Sequence, residues 1–194
     1  MNKINPKETA LLVVDVQNFY LEEGAPLELP SARTMIPALN SLVTELKDKG
    51  SLIIYTRQRH DNFNNNIYKE LFPDHFTKDG KALLADGSHW FQVYPKLVNL
   101  QDHFIDKDRW SAFYQTNLEM LLRDNRIKNV VITGLATNVC CESTARDAFF
   151  RDFNVLFLSD CNVTLDDEMH NATLKTISLA FGKVLSKDEL LKTV

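Results

Sequence analysis

Val130-Val131-Ile132-Thr133-Gly134-Leu135-Ala136-Thr137-Asn138-Val139-Cys140-Cys141-Glu142-Ser143-Thr144-Ala145-Arg146-Asp147-Ala148 runs from an apolar strand, through a glycine and a short polar turn, into a helix. Strand, turn and helix in that order form half of a parallel βαβ unit. The same order recurs outward from this stretch. Residues 10–14 form a nearly continuous apolar run ending at Asp15, which reads as a strand buried on both faces. Residues 31–49 follow as a helix with Ile36, Leu39, Leu42, Val43 and Leu46 on one face and Gly50 as its stop. Further strands are predicted at 52–55, 103–105, 155–158 (ending at Asp160) and 183–185. Helices are predicted from a capping box at Thr116–Glu119 to Leu122, from the Cys140 turn to about Phe153, over 166–181, and after a cap at 186–189.

Alternating strands and helices predict a parallel sheet with right-handed crossovers. The expected fold is a single α/β domain over residues 1–194. It is three-layered and doubly wound, with a mostly parallel sheet of about six strands and helices on both faces. A chain of 194 residues, 44% hydrophobic and 25% charged, is enough for one full core. The net charge of −4 is interspersed, which argues against nucleic acid or a membrane surface as partner. The first seven residues lack the apolar core of a signal peptide, and three irregularly spaced cysteines do not suggest a disulfide framework. The expected compartment is the reducing cytoplasm.

Residues 58–97 break the pattern, being polar and rich in Asn and aromatic residues, without strand periodicity. Such a segment is either a lid over a site or a tolerated surface insertion. His60, Phe63, Trp90 and Phe91 are its candidates for facing a pocket.

Ligands of open parallel sheets bind beyond the carboxyl ends of the strands. Asp15, Lys107 and Cys140 all fall there. Taken singly, each has an ordinary reading: a turn cap, a solvated charge, a small buried apolar residue. Together they suit nucleophilic catalysis. Asp15 takes the thiol proton and later delivers it to a leaving amine. Lys107 keeps Asp15 ionised and, with the helix start, lowers the thiol pKa. The thiolate attacks a carbonyl and gives a thioester, which water hydrolyses.

Three blocks now carry a resemblance: residues 10–19, ending Asp15-Val16-Gln17-Asn18-Phe19; Lys107-Asp108-Arg109-Trp110-Ser111-Ala112-Phe113 with Thr116, Asn117 and Leu118; and the 134–148 run. They resemble the isochorismatase-like cysteine hydrolase superfamily, which includes nicotinamidases, N-carbamoylsarcosine and ureidoacrylate amidohydrolases and true isochorismatases. The wording around Cys140 is most similar to the ureidoacrylate and N-carbamoylsarcosine types. The resemblance implies Asp15, Lys107 and Cys140 as a catalytic triad and a cis peptide at Leu135–Ala136. It also implies an oxyanion hole made by the N–H groups of Ala136 and Cys140.

Phe19, His60, Trp110 and Asn138 are the candidate substrate contacts. Arg146 either binds a substrate carboxylate or faces solvent, and Cys141 and Cys161 are read as packing. The family's nicotinamidases hold a divalent metal with an Asp-x-His motif after the second strand and a further His. Here Gln58-Arg59-His60 stands in that place, and a neutral amide is a poor ligand. The expectation is therefore a cofactor-free, metal-independent enzyme. It would hydrolyse a C–N bond of a small amide, carbamoyl or ureido compound and form a homo-oligomer, dimer or tetramer. Vinyl-ether hydrolysis of the isochorismatase type, or a non-catalytic binding role, are the alternatives.

Overall fold

A six-stranded sheet forms the centre of the fold, its strands running third, second, first, fourth, fifth and sixth in chain order from one edge to the other. The structure is a computed structural model and describes residues 3–60, 66–98 and 103–194. The strands are β1 (Thr9–Val14), β2 (Leu52–Gln58), β3 (His103–Lys107), β4 (Asn129–Leu135), β5 (Asn154–Val163) and β6 (Lys183–Leu185), and every pairing is parallel. The helices are α1 (Asn18–Leu21), α2 (Pro30–Asp48), α3 (Asn66–Leu71), α4 (Leu118–Asp124), α5 (Glu142–Phe149), α6 (Asp167–Ala180) and α7 (Lys187–Leu191). This is the α/β fold the alternating pattern predicts.

Strand side chains alternate between two cores. Leu11, Val13, Ile53, Tyr55 and Val131 pack on one face against Leu39, Leu42, Val43 and Leu46 of α2. Ala10, Leu12, Val14, Ile54, Val130 and Ile132 pack on the other against Leu118 and Leu122 of α4, Ala145 and Ala148 of α5 and Ile177 of α6. The chain starts at β1, winds outward through β2 and β3, then crosses back to β4 beside β1. The strand order therefore reverses between β1 and β4, which opens a crevice at their carboxyl ends.

Two local expectations need correction. β5 does not stop at Asp160; it continues through Val163 across an irregularity in its pairing with β4, between Ile132 and Gly134. The Asn162 amide donates to the carbonyls of Ile132 (2.9 Å) and Leu158 (2.6 Å), which satisfies groups the irregular ladder releases. The box at Thr116–Glu119 does not form: Asn117 is the N-cap, without a side-chain capping bond. Thr116 instead donates to the Ala112 carbonyl and accepts from the Leu118 amide. A capping box does close on Ser186 and Glu189 at α7.

Residues 58–97 are tied to the core. The buried Gln17 side chain accepts from the Gln58 amide (2.8 Å) and donates to the carbonyls of Gln58 (3.1 Å) and Phe91 (2.9 Å). Leu84, Phe91, Tyr94 and Leu97 are buried. No helix among the described residues is long and apolar enough to cross a membrane.

Candidate active site

Three elements bring charge and sulfur to the crevice. Asp15 leaves β1 with φ of 52°, a left-handed conformation that Asp tolerates better than most residues. Its amide donates to Thr56 on β2, and the Thr56 hydroxyl donates to Asp15 Oδ1 at 2.6 Å. Lys107 ends β3, in register with Gln58 on β2. From that edge strand its long side chain reaches past β2 to Asp15. Cys140 follows β4 in a single π-helical turn, Thr137–Cys141, that leads into α5.

The Lys107 ammonium is 2.7 Å from Asp15 Oδ2 and 3.4 Å from Cys140 Sγ. It also donates to Gln58 Oε1 (2.6 Å) and the Arg109 carbonyl (3.1 Å). Asp15 and Lys107 are each 1% exposed. The three residues that lie far apart in sequence thus form one contact cluster. Burial works to lower the Lys107 pKa, but Asp15 and the Cys140 sulfur together raise it above the ordinary lysine value.

The thiol behaves differently from the sequence expectation. Burial pushes Cys140 well above the usual thiol range; Lys107 opposes this, while Asp15 adds to it by charge and by accepting the S–H hydrogen bond. Desolvation outweighs both the helix start and the ammonium, so burial favours the thiol over the thiolate. Burial likewise raises the Cys141 and Cys161 thiols. All three cysteines are free and buried.

The turn that carries Cys140 is fixed from two sides. The Leu135–Ala136 peptide is cis. The Val139 and Cys141 amides both donate to the Ala136 carbonyl at 3.1 Å. His170 Nε2 lies 3.1 Å from the Ser159 carbonyl, which can only accept, so a neutral His170 offers Nδ1 to the Thr137 hydroxyl at 3.0 Å. Glu142 accepts from Thr173 of α6 at 2.8 Å.

Cys140 opens onto a cavity of about 270 Å³. Tyr20, Leu29, Phe72, Trp110, Val139 and Leu165 form its apolar wall; His75, Asn138 and Thr164 are polar members. Of the predicted contacts, Trp110 and Asn138 line it. Trp110 packs against Tyr68 at a tilt and edge-to-face against Phe72, at centroid distances of 5.3 and 5.1 Å. Asn138 Oδ1 accepts from Thr164 (2.6 Å).

Phe19 lies outside the lining, fully buried against His75 and Tyr20. Neighbours on a helix point about 100° apart, and α1 turns Tyr20 to the cavity where Phe19 was expected. His60 also lies one layer back: its Nε2 is 2.7 Å from Nδ1 of His75, and His75 lines the cavity. Phe91 and Trp90 do not line it, and Phe63 falls outside the described residues. Arg146 faces away, paired with Glu142 (2.6 Å) and lying over Phe181 (4.3 Å).

Sequence reasoning missed Tyr20, Phe72 and His75. The 72–76 run, Phe-Pro-Asp-His-Phe, carried the only signal, an aromatic cluster around a proline turn.

The family's metal position does not fit a divalent cation here. Gln58 is neutral, and its oxygen is held by the Lys107 ammonium. Burial holds His60 at about 3 and His75 at about 4, and the two imidazoles face each other as a hydrogen-bonded pair. Among the described residues no group of three or more His, Cys, Asp or Glu side chains could hold a metal.

The isochorismatase domain model matches residues 9–189. A ureidoacrylate amidohydrolase of Acinetobacter baylyi is 33% identical over 209 aligned residues, covering 98% of this chain and 85% of that protein. Nicotinamidase 3 of Arabidopsis thaliana is 29% identical, covering 98% and 90%. The crystal structure of a cysteine hydrolase from Pseudomonas syringae superposes with a TM-score of 0.90 at 27% identity, over 100% of this chain and 95% of that one.

Proposed function

The chain belongs to the isochorismatase family, and from that premise we propose that it is a cysteine hydrolase that cleaves a C–N bond of a small amide, carbamoyl or ureido compound without a metal. One observation carries the reading: a buried ammonium touches both a buried carboxylate and the thiol that opens onto the cavity, at 2.7 and 3.4 Å.

The chemistry follows from those contacts. Asp15 takes the proton of the Cys140 thiol. The sulfur forms a bond to the substrate carbonyl carbon, and the amide N–H groups of Ala136 and Cys140 receive the oxyanion. Lys107 supplies a fixed positive charge throughout. Asp15 returns its proton to the nitrogen, the C–N bond breaks, and ammonia or an amine leaves. Water then adds to the thioester, giving Asp15 a proton. The C–S bond breaks, the acid is released, and the proton goes back to sulfur. Asn138, whose carbonyl oxygen is tied to Thr164, offers its NH₂ to the substrate.

The test is ammonia release from a panel of primary amides and ureides, with isochorismate included. Cys140→Ala and Asp15→Asn are expected to fall to background on every C–N substrate. Full turnover in Cys140→Ala would overturn the thioester route, and turnover of isochorismate by that variant would move the reading to ether hydrolysis.

A further inference from the structure

Among the described residues, the lining of the cavity over Cys140 offers a substrate no cation. Among the described residues its lining includes neither lysine nor arginine. The residues outside the description include neither as well: 61–65 reads Asp-Asn-Phe-Asn-Asn, 99–102 reads Asn-Leu-Gln-Asp, and 1–2 reads Met-Asn.

The basic residues nearby are engaged elsewhere. Arg57 is bidentate to Asp106 (2.7 and 2.9 Å), Arg59 meets Asp108 (3.3 Å), and Arg146 faces away on Glu142. Arg109 donates to the Asp108 carbonyl (2.8 Å), lies over the Tyr68 ring and is not part of the cavity lining. Lys107 is already held by Asp15, Gln58 and the Arg109 carbonyl. The two imidazoles add no charge, because burial keeps both neutral at physiological pH.

Among the described residues, the lining's one carboxylate is Glu28, paired with Arg33 at 2.8 Å. A carboxylate entering this space would be stripped of water with no ammonium or guanidinium on the described lining to replace it: Lys107 sits behind Cys140, held by Asp15, and the Arg33 guanidinium is already paired with Glu28. An aromatic ring or branched alkyl group would instead meet Tyr20, Phe72, Trp110 and Leu165.

We propose that the substrate of Cys140 is uncharged: a carboxamide or ureide whose other substituent is a small ring or branched alkyl group, without a carboxylate or phosphate. This rests on the hydrolase reading above and narrows it. It separates the chain from a substrate such as ureidoacrylate, whose name carries a carboxylate.

The experiment compares matched pairs on the wild-type enzyme: benzamide against 3- and 4-carbamoylbenzoate, and propylurea against 3-ureidopropanoate. The uncharged member is expected to show kcat/KM higher by about 100-fold or more. Leu165→Arg places a cation at the rim on a side chain that is 74% exposed, so it should fold. It is expected to narrow that gap at least about tenfold. A charged member hydrolysed as well as its uncharged partner would overturn the substrate class and leave C–N hydrolysis standing. If no compound releases ammonia, the hydrolase reading fails. Calorimetric binding of the same pairs to Cys140→Ala then decides the class: preference for the uncharged members supports it, and equal or tighter binding of the anions overturns it.

Discussion

Gly134→Ala tests how the sheet holds the site together. Gly134 lies opposite Val14 in the β1–β4 ladder, one residue before Asp15, with φ of 112°. A Cβ there would lie 2.1 Å from the Val14 carbonyl oxygen and 2.7 Å from its nitrogen, where ordinary contact begins at 3.4 Å. Both neighbours are backbone, so no side chain can swing aside, and the strands must part by about 1 Å. Left-handed strain of ~1–3 kcal/mol and overpacking of ~1–3 kcal/mol together give a loss of about 2–6 kcal/mol. With a urea m-value of about 2 kcal/mol/M, a loss of about 4 kcal/mol lowers the unfolding midpoint by about 2 M. The same displacement acts on contacts of 2.7 and 3.4 Å around Lys107. A misplacement of about 1 Å lowers kcat/KM about 100-fold in protein that is still folded. Gly80→Ala is the control, because φ there is 79° but nothing lies within 4 Å of a Cβ. It should lose only the strain and keep its activity. A Gly134→Ala enzyme within about 1 kcal/mol of wild type in urea, and within about threefold in kcat/KM, would refute the argument that this glycine fixes the gap between β1 and β4.

Iodoacetamide should label Cys140 ahead of Cys141 and Cys161, because Cys140 alone among them lines the cavity. Since burial raises the thiol, peptide mapping should show its rate still climbing above about pH 9; a plateau near neutrality would mean a stabilised thiolate. Stability should fall on acidification. His60 and His75 are held at about 3 and about 4, below the roughly 6.5 of an unfolded histidine. The unfolded chain therefore binds protons the folded one refuses. The contribution is complete above about pH 6.5 and declines at about 1.4 kcal/mol per pH unit for each histidine as pH falls toward 4. Replacing His75 with Phe should remove one proton from that slope in urea titrations, and an unchanged slope would count against the buried pair. Ammonia release should be indifferent to chelators, and a loss restored by zinc would overturn the assignment of Gln58 as a partner of Lys107.

The strands and their order of appearance were legible because burial on both faces leaves continuous apolar runs, as in residues 10–14 and 130–132. Asp15, Lys107 and Cys140 were legible because each ends or follows such a run. The end of β5 was misread at Ser159-Asp160, because polar residues in a ladder irregularity resemble a strand terminus. The cavity wall was the least legible part. A four-residue helix decides whether Phe19 or Tyr20 faces the thiol, and no periodicity exists over so short a span. His75 reaches the site through a turn whose position depends on Gln17 anchoring the segment, a contact between residues far apart in sequence.

The sign of the Cys140 shift was likewise set by tertiary structure. Sequence shows a helix start and a lysine, which favour the thiolate, but desolvation depends on how completely the folded chain around Cys140 excludes water. By itself, then, the chain determined the sheet and which three reactive residues lie at its edge, because backbone pairing and apolar alternation are local patterns. Only the folded molecule decided the direction in which burial moves the Cys140 thiol and which side chains line the cavity, because burial and charge pairing are sums over neighbours that the sequence does not place side by side.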